Sequence, residues 1–267
     1  MKGGFGVQRR AYAKVNIFLK ITGYRDGYHT LLSRFMLVKS LYDTISFVPA
    51  DSKSFTIDGC DGIETRSNTI YRAYEALLRQ KPSKRLREFF RSHKVRVDKN
   101  IPSQAGLGGG SSDAAAFLLL ANEVCSLGLE ADTLSAIGAS VGADVPFFVH
   151  GFESANVSGF GEVVEPFEED SLQLEIFTPD IACDTAEVYR YYNRELLGTV
   201  ESDRPERYLS MKSRDILEMT HKPATLNDLY PAALAVCDRL KQAAPEGWFF
   251  SGSGSSFFRM KREEQER

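Results

Sequence analysis

Residues 101–114 read Ile-Pro-Ser-Gln-Ala-Gly-Leu-Gly-Gly-Gly-Ser-Ser-Asp-Ala, and this stretch has the chemistry to hold phosphate. Glycine lets a backbone take positive φ and come close to a ligand. The stretch leads into an apolar, alanine-rich helix pattern, and a helix N-terminus offers free N–H groups and a partial positive charge. Together these make a cradle for a nucleotide or another phosphorylated compound. Two common phosphate loops are excluded. A Walker A loop needs a lysine after its last glycine, and none stands there. The dinucleotide fingerprint needs Gly-x-Gly-x-x-Gly early in a βαβ unit, whereas this loop lies more than a third of the way along with different spacing. An ordinary turn is a poor alternative, because three adjacent glycines cost chain entropy on ordering.

Other residues invite chemistry through their placement. Over residues 11–21 apolar and polar residues alternate as in a strand, with Ala13, Val15, Ile17, Leu19 and Ile21 on one side. Lys14, Asn16, Phe18 and Lys20 take the other side, so Lys14 and Asn16 share a face. That face is either solvated or part of a site. The turn Gly23-Tyr24-Arg25-Asp26-Gly27-Tyr28-His29 then gathers aromatic residues around a histidine.

The elements that position these residues follow from pattern. Strands are expected at about 33–40 and 43–48. Asn68 is placed to cap a helix with Ile70, Ala73, Tyr74, Leu77 and Leu78 on its apolar side. The cluster 81–91 reads as a solvated helix face. Val95 and Val97 form a strand that feeds the glycine loop through Lys99. The helix after the loop is expected over about 112–125, and another over about 132–141. Pro146 is read as ending the latter, with a short strand over 147–149. A hairpin is expected over 153–166 and a strand over 172–177. Asp184-Thr185 opens a helix, and residues 197–222 lack a clear period. Asn227-Asp228 cap a helix with Leu229, Ala233, Val236 and Leu240 on one face. Strands at 248–250 and 256–260 flank the turn Ser251-Gly252-Ser253-Gly254-Ser255. Strands and helices mix without strict βα alternation, which predicts an α+β chain of two parts, 1–165 and 166–267.

Composition sets the bounds. The 267 residues are 43% hydrophobic, enough for a sizeable core. A net charge of −3 gives no footprint for nucleic acid or an anionic membrane. No apolar run is long enough to span a bilayer and no secretory signal is visible. Cys60, Cys125, Cys183 and Cys237 are far apart in sequence and form no Cys-x-x-Cys pair, which argues against zinc and suits a reducing cytosol. The tail 261–267 is charged.

The glycine loop Pro102–Ser112 resembles the central motif of the GHMP small-molecule kinases, which include galactokinase and the homoserine and mevalonate kinases. The turn Ser251-Gly252-Ser253-Gly254 before Phe257 looks like their third motif. Ala13-Lys14-Val15-Asn16-Ile17-Phe18-Leu19, Asp26-Gly27-Tyr28-His29 and Gly142-Ala143-Asp144-Val145-Pro146-Phe147-Phe148 are similar to one branch of the family. Members of that branch phosphorylate a methylerythritol joined to cytidine diphosphate, in the non-mevalonate route to isoprenoid precursors. The resemblance spans about residues 11–258, weakest at 195–222. It implies an N-terminal α/β kinase domain of ribosomal-protein-S5-like form, a C-terminal ferredoxin-like domain, and an active site in the cleft between them.

Site roles follow from the resemblance. Asp144 corresponds to the catalytic aspartate. A carboxylate near pKa ~3.9 is a weak base for an alcohol, so its main contribution is to orient the attacking oxygen. Lys14 corresponds to the cation beside that hydroxyl, and Asn16 would bond substrate or Asp144. Tyr28 would stack on cytosine and His29 would read its polar edge. Thr185 and Tyr189, one helical turn apart, would touch the diphosphate and the base. Asn68 and Lys99 match positions near adenine, with helix capping and surface charge as their alternatives. Pro102, Ser103, Gln104, Ala105, Gly106, Leu107, Gly108, Gly109, Gly110, Ser111 and Ser112 would grip the ATP phosphates. Magnesium is expected with ATP, and its protein ligands are left open among Ser111, Ser112 and Asp144. Oligomeric state is not legible. Two rival readings use the same residues. Another kinase of the superfamily, of mevalonate or homoserine type, leaves the Tyr28-His29 pair unexplained. A non-catalytic nucleotide sensor leaves Lys14 and Asp144 unexplained.

Overall fold

The computed structural model describes residues 7–52, 54–60, 62–198, 204–220 and 222–261. Residues 1–6, 199–203 and the charged tail from residue 262 lie outside them. The chain forms two compact units that interleave along the sequence. The first takes the described residues up to Ala13, then Lys39–Ile101 and Gly108–Phe152. The second takes Lys14–Val38, Pro102–Leu107 and the chain from Glu153 onward.

Strands β1 (Gln8–Arg25) and β2 (Tyr28–Pro49) pair with each other and contribute to both units. Asp26 and Gly27 join them with φ of 54° and 84°. Two successive positive φ values match the right-handed twist of a hairpin. The two separate strands expected over 33–48 are one. From Ala13 to Lys20 every residue of β1 is buried, so both of its faces are covered.

In the first unit the last part of β2 pairs antiparallel with β4 (His93–Asp98), and the short β3 (Ile57–Asp58) runs parallel to β4. Helix α1 (Thr69–Gln80) starts where Asn68 Oδ1 accepts the Ile70 amide at 2.8 Å. Ser83 caps α2 (Lys84–Ser92), which turns Leu86 and Phe90 inward. Phe47, Phe55, Tyr74, Phe90 and Phe117 meet in one aromatic core, with Phe55 stacked on Tyr74 at 4.2 Å. Each such ring removed from water stabilises the fold by roughly 1.5–3 kcal/mol.

Helix α3 (Gly109–Val124) is buried on nearly all sides, as its run of alanines and leucines requires. Helix α4 (Ala131–Ala139) follows, then α5 (Val145–His150). The expected strand at 147–149 is therefore a helix. Pro146 sits in the first turn of α5, where its missing N–H has no partner to lose. A short apolar run such as Val-Pro-Phe-Phe-Val carries no period that separates strand from helix.

In the second unit the early part of β2 pairs antiparallel with β5 (Ser154–Ser158), which pairs with β6 (Val163–Pro166). A separate antiparallel sheet has the order β7 (Leu174–Phe177), β9 (Phe257–Met260), β8 (Phe249–Phe250). Asp184 caps α6 (Thr185–Tyr191) by accepting the amides of Ala186 and Glu187. Short helices α7 (Ser213–Glu218) and α8 (Pro223–Leu226) lead to α9 (Tyr230–Val236) and α10 (Leu240–Ala243). The single helix expected from residue 229 to 240 breaks at Cys237. Neither Asn227 nor Asp228 caps the helix as expected: the N-cap is Leu229, without a side-chain capping bond, while Asn227 Oδ1 accepts the Leu229 amide just ahead of it and Asp228 pairs with Lys20 at 2.7 Å. Leu19, Val188, Leu229, Ala233, Phe250 and Phe257 form the centre of this unit's core. Helix and strand are mixed in the α+β manner expected.

Candidate active site

The glycine loop divides at Gly108. Gly106 and Gly108 take φ of 74° and 72°, the left-handed region that glycine enters without strain. A Cβ on Gly106 would lie 2.1 Å from the Ser251 carbonyl oxygen, so only glycine fits there. Gly109 and Gly110 are already helical, and α3 starts three residues before the expected position. The first free amides of the helix are thus those of Gly109, Gly110 and Ser111. Thr69 Oγ1 donates to the Gly110 carbonyl at 2.7 Å and supports that first turn from α1. Pro102, Ser103 and Gln104 are exposed, whereas Ala105 and Leu107 are buried anchors.

Within the second unit the loop is tied to three other segments. The Lys14 amide donates to Leu107 O at 2.9 Å, the Ser256 amide to Ala105 O at 3.1 Å and the Cys183 amide to Gln104 O at 3.5 Å. Ser251 Oγ donates to Gly106 O at 3.0 Å. The late turn is itself held by Asn227, whose amide donates to Phe250 O and Gly252 O.

Lys14 and Asn16 do not form a solvated strand face. They are 4% and 2% exposed. Lys14 Nζ donates to Asn16 Oδ1 at 2.7 Å and to Gly106 O at 3.3 Å, and lies 4.5 Å above the Phe35 ring. Asn16 Nδ2 donates to Ser33 Oγ at 2.9 Å, which fixes the amide with its oxygen toward the ammonium. A cation is therefore held beside the first half of the glycine loop.

A second cluster surrounds His29. Its ring lies 4.9 Å from Tyr24, 5.2 Å from Tyr189 and 5.7 Å from Tyr192. The residue is buried, and Nε2 has no hydrogen-bond partner. Burial lowers its pKa, so the imidazole stays neutral at physiological pH. An unpartnered polar atom in such surroundings costs free energy unless a ligand completes it. Tyr28 is exposed and leans on Phe160, 5.8 Å away, rather than on His29. Tyr189 packs on the histidine, while Thr185 Oγ1 bonds Ser253 Oγ at 2.7 Å, against the late turn.

In the first unit, the capping alternative for Asn68 is realised. Lys99 is exposed, but its ammonium is paired rather than left to solvent. Its Nζ donates to Asp43 Oδ2 at 2.5 Å and to Asp113 Oδ2 at 2.9 Å. Burial opposes this ammonium, yet Asp113 and Asp43 hold its net pKa shift upward. Asp43 also accepts the amides of Asn100 and Ile101, which fixes the strand exit into the loop. A Cβ on Gly109 would lie 3.6 Å from Lys99 Nζ, so this ion cluster sits under the start of α3. Asp113 Oδ1 is buried without a partner, and burial pushes the carboxyl up to about 7.

Asp144 stands at the N-cap of α5, but its side chain makes no capping bond. Its turn adjoins the glycine helix, since a Cβ on Gly142 would lie 3.4 Å from Ser111 Oγ. Ser112 is buried in the first turns of α3. Among the described residues no three His, Cys, Asp or Glu side chains cluster as a metal site, and no helix is long and apolar enough to cross a membrane.

Several participants escaped the sequence reading. Asp43 lay inside a strand pattern, where an acid looks like an outward residue. Asp113 follows the quoted Ser111-Ser112 directly and could have been flagged by its place in an otherwise apolar helix. Tyr24 was in view, but Tyr192, Ser251 and Asn227 reach their partners only through tertiary folding.

The description GHMP kinases N terminal domain matches residues 68–152. A 4-diphosphocytidyl-2-C-methyl-D-erythritol kinase of Sulfurovum sp. is 58% identical over 251 residues, covering 94% of this chain and 98% of that protein. A crystal structure of 4-(cytidine 5'-diphospho)-2C-methyl-D-erythritol kinase matches with a TM-score of 0.71 and 30% identity, over 95% of this chain and 90% of that one. The Methanococcus jannaschii mevalonate kinase covers 99% of this chain and 93% of its own with a TM-score of 0.60 but 12% identity, a likeness of fold alone. The glycine loop, the anchored lysine and the tyrosine-lined histidine are thus set in a chain that belongs to the GHMP kinase family, within the group of 4-diphosphocytidyl-2-C-methyl-D-erythritol kinases.

Proposed function

We propose that this chain transfers the γ-phosphoryl group of ATP to the 2-hydroxyl of 4-diphosphocytidyl-2-C-methyl-D-erythritol. The observation that carries the choice of acceptor is His29, a neutral imidazole enclosed by tyrosines with Nε2 unpartnered. A flat base with a polar edge answers both features, and a small acid such as mevalonate answers neither. In this reading Tyr28 stacks on the cytosine, His29 bonds its edge, and Tyr189 and Thr185 line the same ligand.

The free amides at the start of α3 take the triphosphate, aided by the helix dipole. Asn68 and Lys99 act on the adenosine side. Lys14, fixed by Asn16 and Gly106, supplies positive charge to the transferring group without reorganising. Asp144 orients the alcohol and accepts its proton late in the transfer. Magnesium is commonly held by phosphates with one or two carboxylates rather than by an all-protein cage. The residues fit that mode: Asp144 brings one carboxylate, and Ser111 borders its turn with a hydroxyl. Asp144 and Ser111 would hold the ion with the phosphates, where it neutralises developing charge. A cytoplasmic location belongs to the same reading.

The test is a substrate panel with ATP and magnesium, followed by phosphorus NMR. A new phosphomonoester is expected with the cytidine diphosphate substrate and none with mevalonate or homoserine. Equal turnover on mevalonate would overturn the acceptor assignment.

A further inference from the structure

The four cysteines are scattered in sequence, but the fold brings two together. Cys183 Sγ and Cys237 Sγ stand 3.0 Å apart. Cys183 is fully buried and immediately precedes Asp184, the cap of α6. Cys237 is partly exposed and closes α9. Both belong to the core of the second unit, beside Val188, Ala233 and Leu240. The Cys237 thiol is aimed by a weak bond to Ala182 O at 3.9 Å. A disulfide needs its sulfurs ~2.0 Å apart, so closing this pair takes a movement of about 1 Å.

We propose that Cys183 and Cys237 are a peroxide-oxidisable dithiol, a reversible modification site that fastens the start of α6 to the end of α9. The accessible Cys237 reacts first. Its thiolate attacks one oxygen of hydrogen peroxide, the O–O bond breaks, and the products are a sulfenic acid and hydroxide, which leaves as water on taking a proton. Cys183 then attacks the sulfenic sulfur. The new S–S bond displaces hydroxide, and the Cys183 thiol proton converts it to water. Two thiols are oxidised by two electrons and one peroxide is reduced to two waters. Burial pushes the Cys183 thiol up to about 12, which keeps that residue from reacting with peroxide on its own and leaves the first attack to Cys237. A dithiol then restores the reduced pair by exchange.

The full-length protein is reduced, desalted, treated with hydrogen peroxide and alkylated. Titratable thiols should fall from the four in the sequence to two. Non-reducing peptide mapping should show one cross-linked pair containing Cys183 and Cys237, lost on dithiothreitol. Cys237→Ser, or Cys237→Ala should that variant fold poorly, should form no cross-link. Four surviving thiols, Cys237 recovered as sulfinic acid without a cross-link, or a cross-link through Cys60 or Cys125 would each overturn the proposal. A second readout rests on the substrate assignment above. Helix α6 carries Thr185 and Tyr189, so oxidation should raise KM for the cytidyl substrate in the wild type and leave that of the Cys237 variant unchanged. A cross-link with unaltered KM would count against that assignment of α6 and leave the dithiol standing.

Discussion

Arg34 and Lys99 are both cations tied to carboxylates, the first buried and the second exposed, and their surroundings differ in how fully they are satisfied. Arg34 is fully buried, and every donor group is engaged. Its Nε reaches Asn156, and its other nitrogens reach Glu169, Ser213 and the carbonyls of Tyr208, Leu209 and Met211. The guanidinium also lies 3.4 Å above Phe167. Glu169 in turn takes the hydroxyls of Ser154 and Ser213. Lys99 faces two carboxylates with one charge, and Asp113 Oδ1 remains unpartnered. A completed network holds a fold, here the segment 205–213. An uncompleted one beside the glycine loop is a place where the molecule leaves room for a proton or a ligand. His29 Nε2 is a second such atom, within the proposed substrate cluster.

Three substitutions probe that contrast, from the largest expected effect on stability to the smallest. Arg34→Met strands Glu169 as a buried charge. It should cost about 3–5 kcal/mol, the range for breaking one partner of a buried pair. Urea unfolding measures this, and a loss below about 1 kcal/mol would mean the network does not organise the fold.

Asp113→Asn should act through pH. In the folded chain Asp113 titrates near 7, against an ordinary 3.8. Between those values the folded state keeps a proton that the unfolded state has lost, so stability falls as pH rises and levels off above about 7. Asparagine has no such titration. From pH 5 to pH 8 the wild type should therefore lose stability relative to the variant, by on the order of 1 kcal/mol or more. Parallel stability curves would show that Asp113 is ionised and fully compensated.

His29→Leu removes an unpartnered group, so stability should change by less than ~1 kcal/mol. Substrate affinity should fall instead, with KM for the cytidyl substrate up roughly tenfold, or about 1.4 kcal/mol. The opposite split, lost stability with unchanged KM, would make the histidine a core residue.

The two networks were also unequally legible. Helix caps at Asn68 and Asp184 and the hairpin at 153–166 were readable because the signals are local, an acceptor side chain before an apolar period or glycines between alternating runs. The glycine loop and the helix that follows it were readable for the same reason, since four glycines and a helix start lie within one stretch. Arg34 was not. It sits in a strand pattern, and its partners are more than 120 residues away, most of them in a segment with no period. Lys99 was singled out, but its partner Asp43 is 56 residues earlier. The dithiol was missed because cysteine spacing in sequence says nothing about two residues joined by packing of α6 on α9. The helix at 145–150 was lost to a rule applied one turn too far, since proline ends a helix only after its first turn.

The most direct measurement compares Asp144→Ala with the wild type in nucleotide binding and in a single turnover on the cytidyl substrate. The account predicts affinity for an ATP analogue within about threefold and a rate reduced by ~10²–10⁴, the range for removing a positioned proton acceptor. Turnover at the wild-type rate would contradict it.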